Sequence, residues 1–437
     1  MRPIDFENLD SVVQAGRVHA NLYRDPDIFE LEMERIFGGT WVYVAHESQI
    51  PDGGDFITTH VGRKPVIVVR DQDSANVHVL YNRCGHRGAV VCNLSSGNAR
   101  RFRCGYHGWV FDSAGRLVSV PLKEGYYDGV DLGDPRYGLV NLPRVASYRG
   151  FIFACARQDV EDLETHLGPV KNSIDDLVAR SPVGSIRVTG GVHKYLFKGN
   201  WKLQIENVID GYHPSFSHVS TLDERGRQFR RRGEEKEGPA IGRAGSDDPN
   251  EAIAQMDVSS YAQGHSISGA LPERGDKSGP AYQEYLNLMR QSYGQERAEE
   301  ILGKDWHNTL VYPNLCLQML AQHVRVIKPV AVDRTEVWVY PITLDGVPEQ
   351  LNHDVIKYLN ITHSAASLIQ TDDLEQFKRI QVGLGGDGAE WVSFERGLSR
   401  DPVPSEDQAA HAIGSSELPM RAQWQAWRTL MTGEQRA

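Results

Sequence analysis

Apolar and polar positions change their period twice along this chain. Between about Asp25 and Phe37, Ile28, Leu31, Met33 and Ile36 lie among Glu and Arg, which predicts an amphipathic helix. From Trp41 to about Ala156 short alternating runs take over. Phe56–Val61, Val66–Arg70 and Val77–Tyr81 read as strands, set off by the turn signals Asp52-Gly-Gly-Asp and Asp71-Gln-Asp-Ser. A hairpin turn at Asp112-Ser-Ala-Gly115 leads into Leu117–Val120. After about Gln158 helical and strand patterns mix. Thr309–Leu320, Val324–Val330 and Glu336–Thr343 are strand-like, whereas Leu351–Gly383 and Pro419–Thr432 read as helical. The polar, Gly-rich stretch from Phe229 to about Gln263 reads as a mobile excursion. The pattern predicts an α+β chain: an N-terminal helical segment (1–40), an all-β domain (41–157) and a mixed domain (158–437).

Composition narrows the function classes. A chain of 437 residues, 40% hydrophobic, buries enough core for two domains. The net charge of −11, from 47 basic and 58 acidic residues, argues against a nucleic-acid partner. Arg225, Arg227 and Arg230–Arg232 are followed at once by Glu234, Glu235 and Glu237, the mixture of a solvated loop. Neither a membrane-spanning run nor a signal-peptide core is present, so a soluble cytoplasmic protein is expected. Five cysteines suit no disulfide framework, and Cys155 and Cys316 sit in apolar runs as buried free thiols.

Two of the remaining cysteines carry chemistry. Cys84-Gly-His86 and Cys104-Gly-Tyr-His107 are separated by a hairpin's worth of chain. Two thiolates and two imidazoles so arranged suit a Rieske [2Fe–2S] cluster, Cys84 and Cys104 on one iron and His86 and His107 on the other. Gly85, Gly88, Gly105 and Gly108 permit tight loops, and Tyr106 and Trp109 supply shielding bulk. A structural zinc site uses the same residue types. Its halves, however, usually pair Cys with Cys and His with His, whereas each half here mixes them.

A second constellation runs from Asn200 to His218. On a continuous helix Glu206, Asp210 and His213 share a face, and Pro214 then ends the helix near His213. A break there frees His218 to swing back. Two His from such a break plus a distant carboxylate make a facial triad with open positions, the ligand set of non-haem Fe(II). The carboxylate is expected from Thr371-Asp372-Asp373. Asp373 is favoured because Asp372 with Glu375 reads as a capping box. Asp210, three residues before His213, suits an orienting partner for that imidazole.

With these residues the chain resembles the catalytic α subunit of Rieske non-haem iron aromatic-ring-hydroxylating dioxygenases, most like the benzoate, anthranilate and salicylate branch. The resemblance extends through Asn200-Trp-Lys, Glu206-Asn207, Asp210-Gly-Tyr212-His213 and the ending Leu418-Pro-Met-Arg-Ala-Gln-Trp-Gln-Ala-Trp. It implies a Rieske β domain plus a helix-grip catalytic domain on a large antiparallel sheet. It also implies a homotrimer or an α₃β₃ assembly with a small β subunit, and electrons from NAD(P)H through a separate reductase or ferredoxin. Electrons would cross between neighbouring chains, from His107 to Asp210 and on to His213. The reaction implied is cis-dihydroxylation of an aromatic ring by O2, the substrate being an aromatic acid. Monohydroxylation or oxidative demethylation on the same iron is the alternative. Asn207 and Tyr212 are candidates for the surroundings of the iron or for packing. A carboxylate substrate calls for a buried Arg or polar donor, for which Arg325 is one candidate.

Overall fold

The computed structural model describes residues 11–126, 130–218, 256–269, 278–304, 306–319, 321–401 and 409–433. The chain divides into two compact units, Met33–His166 and Met1–Glu32 with Leu167–Ala437.

Among its described residues the smaller unit is built from three antiparallel sheets. One orders its strands as Val77–Tyr81, Lys64–Arg70, Asp55–Val61 and Ser96–Asn98. A second holds Leu117–Ser119, Val110–Asp112 and Arg101–Arg103, and a third Arg144–Tyr148, Phe151–Cys155 and Val42–His46. Alternation sends Phe56, Ile67, Val69, Leu80, Phe102 and Phe111 into one core. Each such side chain is worth about 1.5–3 kcal/mol on burial. Cys84 and Cys104 belong to that core, so the candidate cluster loops are rooted in its packing.

The larger unit carries an eight-stranded antiparallel sheet. Its order is His193–Phe197, Arg334–Pro341, His323–Ala331, Leu315–Gln318, Trp306–Val311, Ser266–Gly269, Asp257–Ser260 and Ala410–Ile413. Three expectations are corrected here. The Thr309–Leu320 run is two strands, because Pro313, which cannot donate to a ladder, sits in the turn between them. Asp257–Ser260, assigned to the mobile excursion, pairs within the sheet, while residues 219–255 lie outside the described residues. Leu351–Gly383 is two helices, Glu349–Thr362 and Gln370–Gly383. Ser367 makes the break, its hydroxyl donating to Thr362 O (2.6 Å) and accepting from Gln370 N (3.1 Å).

The helix Trp201–Ile209 is held from several sides. Asn200 caps it by accepting from Lys202 N at 3.1 Å. The fully buried Glu32 accepts from Trp201 Nε1 and Trp427 Nε1, both at 2.7 Å, and pairs with Lys202 Nζ. Removing one member of such a buried pair costs about 3–5 kcal/mol. One turn on, Glu206 accepts from Tyr23 Oη at 2.7 Å and Trp424 Nε1 at 3.2 Å. Burial raises its carboxyl to about 8. The helix therefore presents its remaining residues, Asn207 among them, from a fixed base.

Candidate metal centres

The two cysteine loops repeat one backbone pattern. Cys84 N donates to Ala89 O at 2.8 Å and Gly88 N to Cys84 O at 2.9 Å. In the other loop Cys104 N donates to Trp109 O at 2.8 Å and Gly108 N to Cys104 O at 3.0 Å. Gly88 and Gly108 close the loops with φ of 75° and 73°, a region that favours glycine. The cysteines are buried at the base, and their thiols lie within mutual hydrogen-bonding reach. His86 and His107 sit toward the surface with ring centroids 4.6 Å apart. Trp109 stacks on His86 at 4.9 Å, while Tyr106 is exposed and leans on His107.

The donor set fits a Rieske cluster. Burial raises the Cys84 thiol, an uncharged group waiting for a metal to take its proton. Burial, followed by His107 and Arg87, lowers His86, which favours the neutral imidazole that a metal binds. The Nδ1 of His86 is buried without a hydrogen-bond partner.

The second site is assembled across the larger unit. His213 Nε2 lies 3.6 Å, and His218 Nε2 3.3 Å, from Asp373 Oδ1. Ligand atoms of these three residues all fall within 4.8 Å of one another, a spacing that could hold a metal ion. Behind the imidazoles stand two further carboxylates. Asp372 Oδ2 is 3.3 Å from His218 Nδ1, and Asp210 Oδ2 is 3.3 Å from His213 Nδ1. The first is also a hydrogen bond; the second has ion-pair distance without hydrogen-bond alignment. Asn207 Nδ2 bridges the front, 3.2 Å from Asp373 Oδ1 and 3.1 Å from His213 Nε2. Burial opposes ionisation of Asp373, yet the hydrogen bond from His218 and the charges of His213, His218 and Arg325 hold its carboxyl below the usual range.

Local geometry corrects two sequence expectations. The helix ends at Ile209, not near His213, because Asp210 turns extended and its Oδ1 accepts from Tyr212 N at 2.7 Å. Glu206 is therefore turned toward Tyr23 and Trp424 and does not share a helical face with Asp210 and His213. His213 instead starts the one-turn helix Pro214–Ser217, with His218 at its other end. Asp372 forms no capping box, since its helix begins at Gln370; it orients His218. Tyr212 is 40% exposed, and its ring packs 3.9 Å from Arg396 and 5.4 Å from Phe216.

Comparison with known proteins matches both parts of the chain. Residues 40–144 match the Rieske [2Fe-2S] domain, and 185–433 match the ring hydroxylating alpha subunit (catalytic domain). The toluate 1,2-dioxygenase subunit alpha of Pseudomonas putida is 35% identical over 88% of this chain and 84% of its own. The chain belongs to the Rieske ring-hydroxylating dioxygenase α subunits.

Other α subunits extend the comparison. The anthranilate 1,2-dioxygenase large subunit of Acinetobacter baylyi is 34% identical over 90% of this chain and 82% of its own. The 2-halobenzoate 1,2-dioxygenase large subunit of Burkholderia cepacia is 31% identical over 94% and 86%. Naphthalene 1,2-dioxygenase from Rhodococcus sp., bound to indole, superposes with a TM-score of 0.80 at 26% identity, covering 99% of this chain and 97% of that one. As an α subunit of this family the protein is an oxidoreductase with an α+β fold. Among the described residues, no helix is long and apolar enough to cross a membrane. Sequence reasoning missed Tyr195, a fully buried phenol close enough to Asp373 and Arg325 to feel both charges. Nothing around it in the sequence marks it, because its neighbours are set by strand pairing.

Proposed function

We propose that the protein is the terminal oxygenase that cis-dihydroxylates an aromatic acid, working with a separate reductase or ferredoxin. Cys84, His86, Cys104 and His107 would hold the [2Fe–2S] cluster, and His213, His218 and Asp373 the mononuclear Fe(II). One observation carries the reading: two imidazole Nε2 atoms and one carboxylate converge, while separate carboxylates stand at both Nδ1 atoms. When bound, the cluster supplies single electrons and the iron activates O2 beside the substrate.

The chain's own residues do the positioning. Asp372 fixes the tautomer and direction of the His218 imidazole through its hydrogen bond, and Asp210 places its charge behind His213. Asn207 steadies the Asp373 carboxylate with its amide. Asp210 keeps a quarter of its side chain exposed and His107 is exposed, as an electron route between neighbouring copies requires. The assignment to an aromatic acid is supported by the toluate, anthranilate and 2-halobenzoate dioxygenases among the relatives. A trimer of α subunits, with or without small β subunits, accords with the same kinship.

Product identification tests the reading. With a surrogate reductase, labelled O2 and a panel of aromatic acids, amines and neutral rings, an acid should yield one product carrying two labelled oxygens. A single labelled oxygen, or loss of a methyl group, would instead assign monohydroxylation or demethylation.

A further inference from the structure

Arg325 is a buried cation with no neutralising contact among the described residues. It lies within the strand His323–Ala331 and is only 6% exposed. Its Nε is fully buried without a hydrogen-bond partner. Among the described residues no carboxylate comes within ion-pair distance of it. A guanidinium stays charged at all ordinary pH, and leaving such a charge buried and unpaired is costly. Buried polar groups without partners in a native fold call for a specific explanation. Asp373 is near enough for its carboxyl to feel Arg325, but that carboxylate is already engaged by His213, His218 and Asn207. Once shared with a dication, it cannot also neutralise Arg325.

Strand register shows where the side chain points. Arg325 pairs with Cys316 on one side and Val339 on the other, and Cys316 pairs with Leu310. The next row of the same face holds Tyr195, Val337 and Ile327. The row on the other side holds Asn308, Gln318 and His323. This face looks toward the helix that carries Asp373 and the helix that leads into His213. Phe197, two residues beyond Tyr195, packs 4.8 Å from Phe377 of the Gln370–Gly383 helix. Asn308 donates to Val208 O of the Trp201–Ile209 helix at 2.7 Å. In its own row and the row of Ile327 the face beside Arg325 is apolar and buried, with Leu310, Cys316, Ile327, Val337 and Val339, while the polar row of Asn308, Gln318 and His323 borders it on the other side. Tyr195 Oη and Gln318 Oε1 are further orphaned atoms on it.

An apolar floor with one unpaired guanidinium, opposite the metal triad, matches an aromatic ring that bears one carboxylate. We infer that Arg325 anchors the carboxylate of the substrate and is the residue that selects aromatic acids over neutral rings. Tyr195 Oη is placed on the next row to add a hydrogen bond to the same group. The inference rests on the reading of the enzyme as acting on aromatic acids, and it assigns that preference to one side chain.

Binding to the holoenzyme, with cluster and iron loaded, separates the two. Calorimetric titration would compare benzoate with nitrobenzene, a neutral molecule of nearly the same shape. Arg325→Gln should weaken benzoate on the order of 100-fold, the loss of one charged hydrogen-bonded pair, and leave nitrobenzene within about threefold. Arg325→Lys, which keeps the charge without the planar fork, should lie between wild type and Arg325→Gln for benzoate. Unchanged benzoate affinity in both variants would overturn the assignment while the aromatic-acid reading stands. Equal weakening of benzoate and nitrobenzene would overturn it too, making Arg325 a packing residue. A wild-type enzyme that binds nitrobenzene and no aromatic acid would sink the reading itself.

Discussion

In the smaller unit the donors come from two loops with one backbone design; in the larger they come from distant segments joined only by folding. The loops of Cys84 and Cys104 position their ligands by main-chain hydrogen bonds closed by a glycine of positive φ. The triad has no such template. His213 and His218 flank a single helical turn, Asp373 arrives on another helix, and side-chain carboxylates aim the imidazoles. Backbone-templated ligands depend on short stretches of chain. Side-chain-templated ligands depend on the packing of the whole unit.

The sharpest way to break this contrast is to remove one donor from each site. Asp373→Ala should abolish turnover and mononuclear iron while leaving the red-brown cluster spectrum intact. Cys104→Ala should abolish the cluster and, with it, reductase-driven turnover, leaving the triad able to take up iron. Iron content and visible absorbance of the two purified variants measure both. Asp373→Ala with normal iron and normal turnover would refute the triad.

Removing an orienting carboxylate should do less. Asp372→Asn and Asp210→Asn keep size and shape but lose the charge behind His218 and His213. Such partners are typically worth about 10- to 100-fold in metal affinity or activity. Asp372→Asn should lower iron affinity more, because Asp372 makes an aligned hydrogen bond and Asp210 does not. Competition with a chelator, read with the cluster absorbance as internal standard, would rank them. Equal iron affinity in both variants and wild type would mean that packing alone aims the imidazoles.

The same contrast explains what could be read from the sequence. The Cys and His spacing was legible because its ligands belong to one local stretch whose glycines and turns announce it. The sequence also favours Asp373 over Asp372, and the fold brings Asp373 to the two imidazoles. The reason was not legible: Asp372 faces His218, and the helix start is organised by the Ser367 hydroxyl. The end of the Trp201–Ile209 helix was misread for a related cause. Nothing in an i, i+4, i+7 pattern reports that Asp210 turns its own carboxylate back to Tyr212 N. The surroundings of Arg325 are the extreme case, because strand register alone brings Tyr195, Cys316 and Val339 around it.

The smallest expected effect sets the units against each other in pH. In the smaller unit, burial lowers His46 from 6.5 to about 4, so the folded state stays neutral where the unfolded chain takes a proton. Its stabilising contribution is present above about 6.5 and is lost as pH falls toward 4. In the larger unit burial raises Glu206 to about 8, so the folded state holds a proton that the unfolded chain releases near 4.5. Its contribution is present below 4.5 and is lost as pH rises through 8. Each is worth on the order of a few kcal/mol at most. Thermal unfolding of His46→Gln between about pH 4 and 9 should flatten the acid arm below about 6.5, and Glu206→Gln the opposing alkaline arm, which starts at 4.5 and runs to about 8. If either variant altered both arms equally, the two groups would be reporting one shared unfolding event, and the separate construction of the units would not extend to their stability.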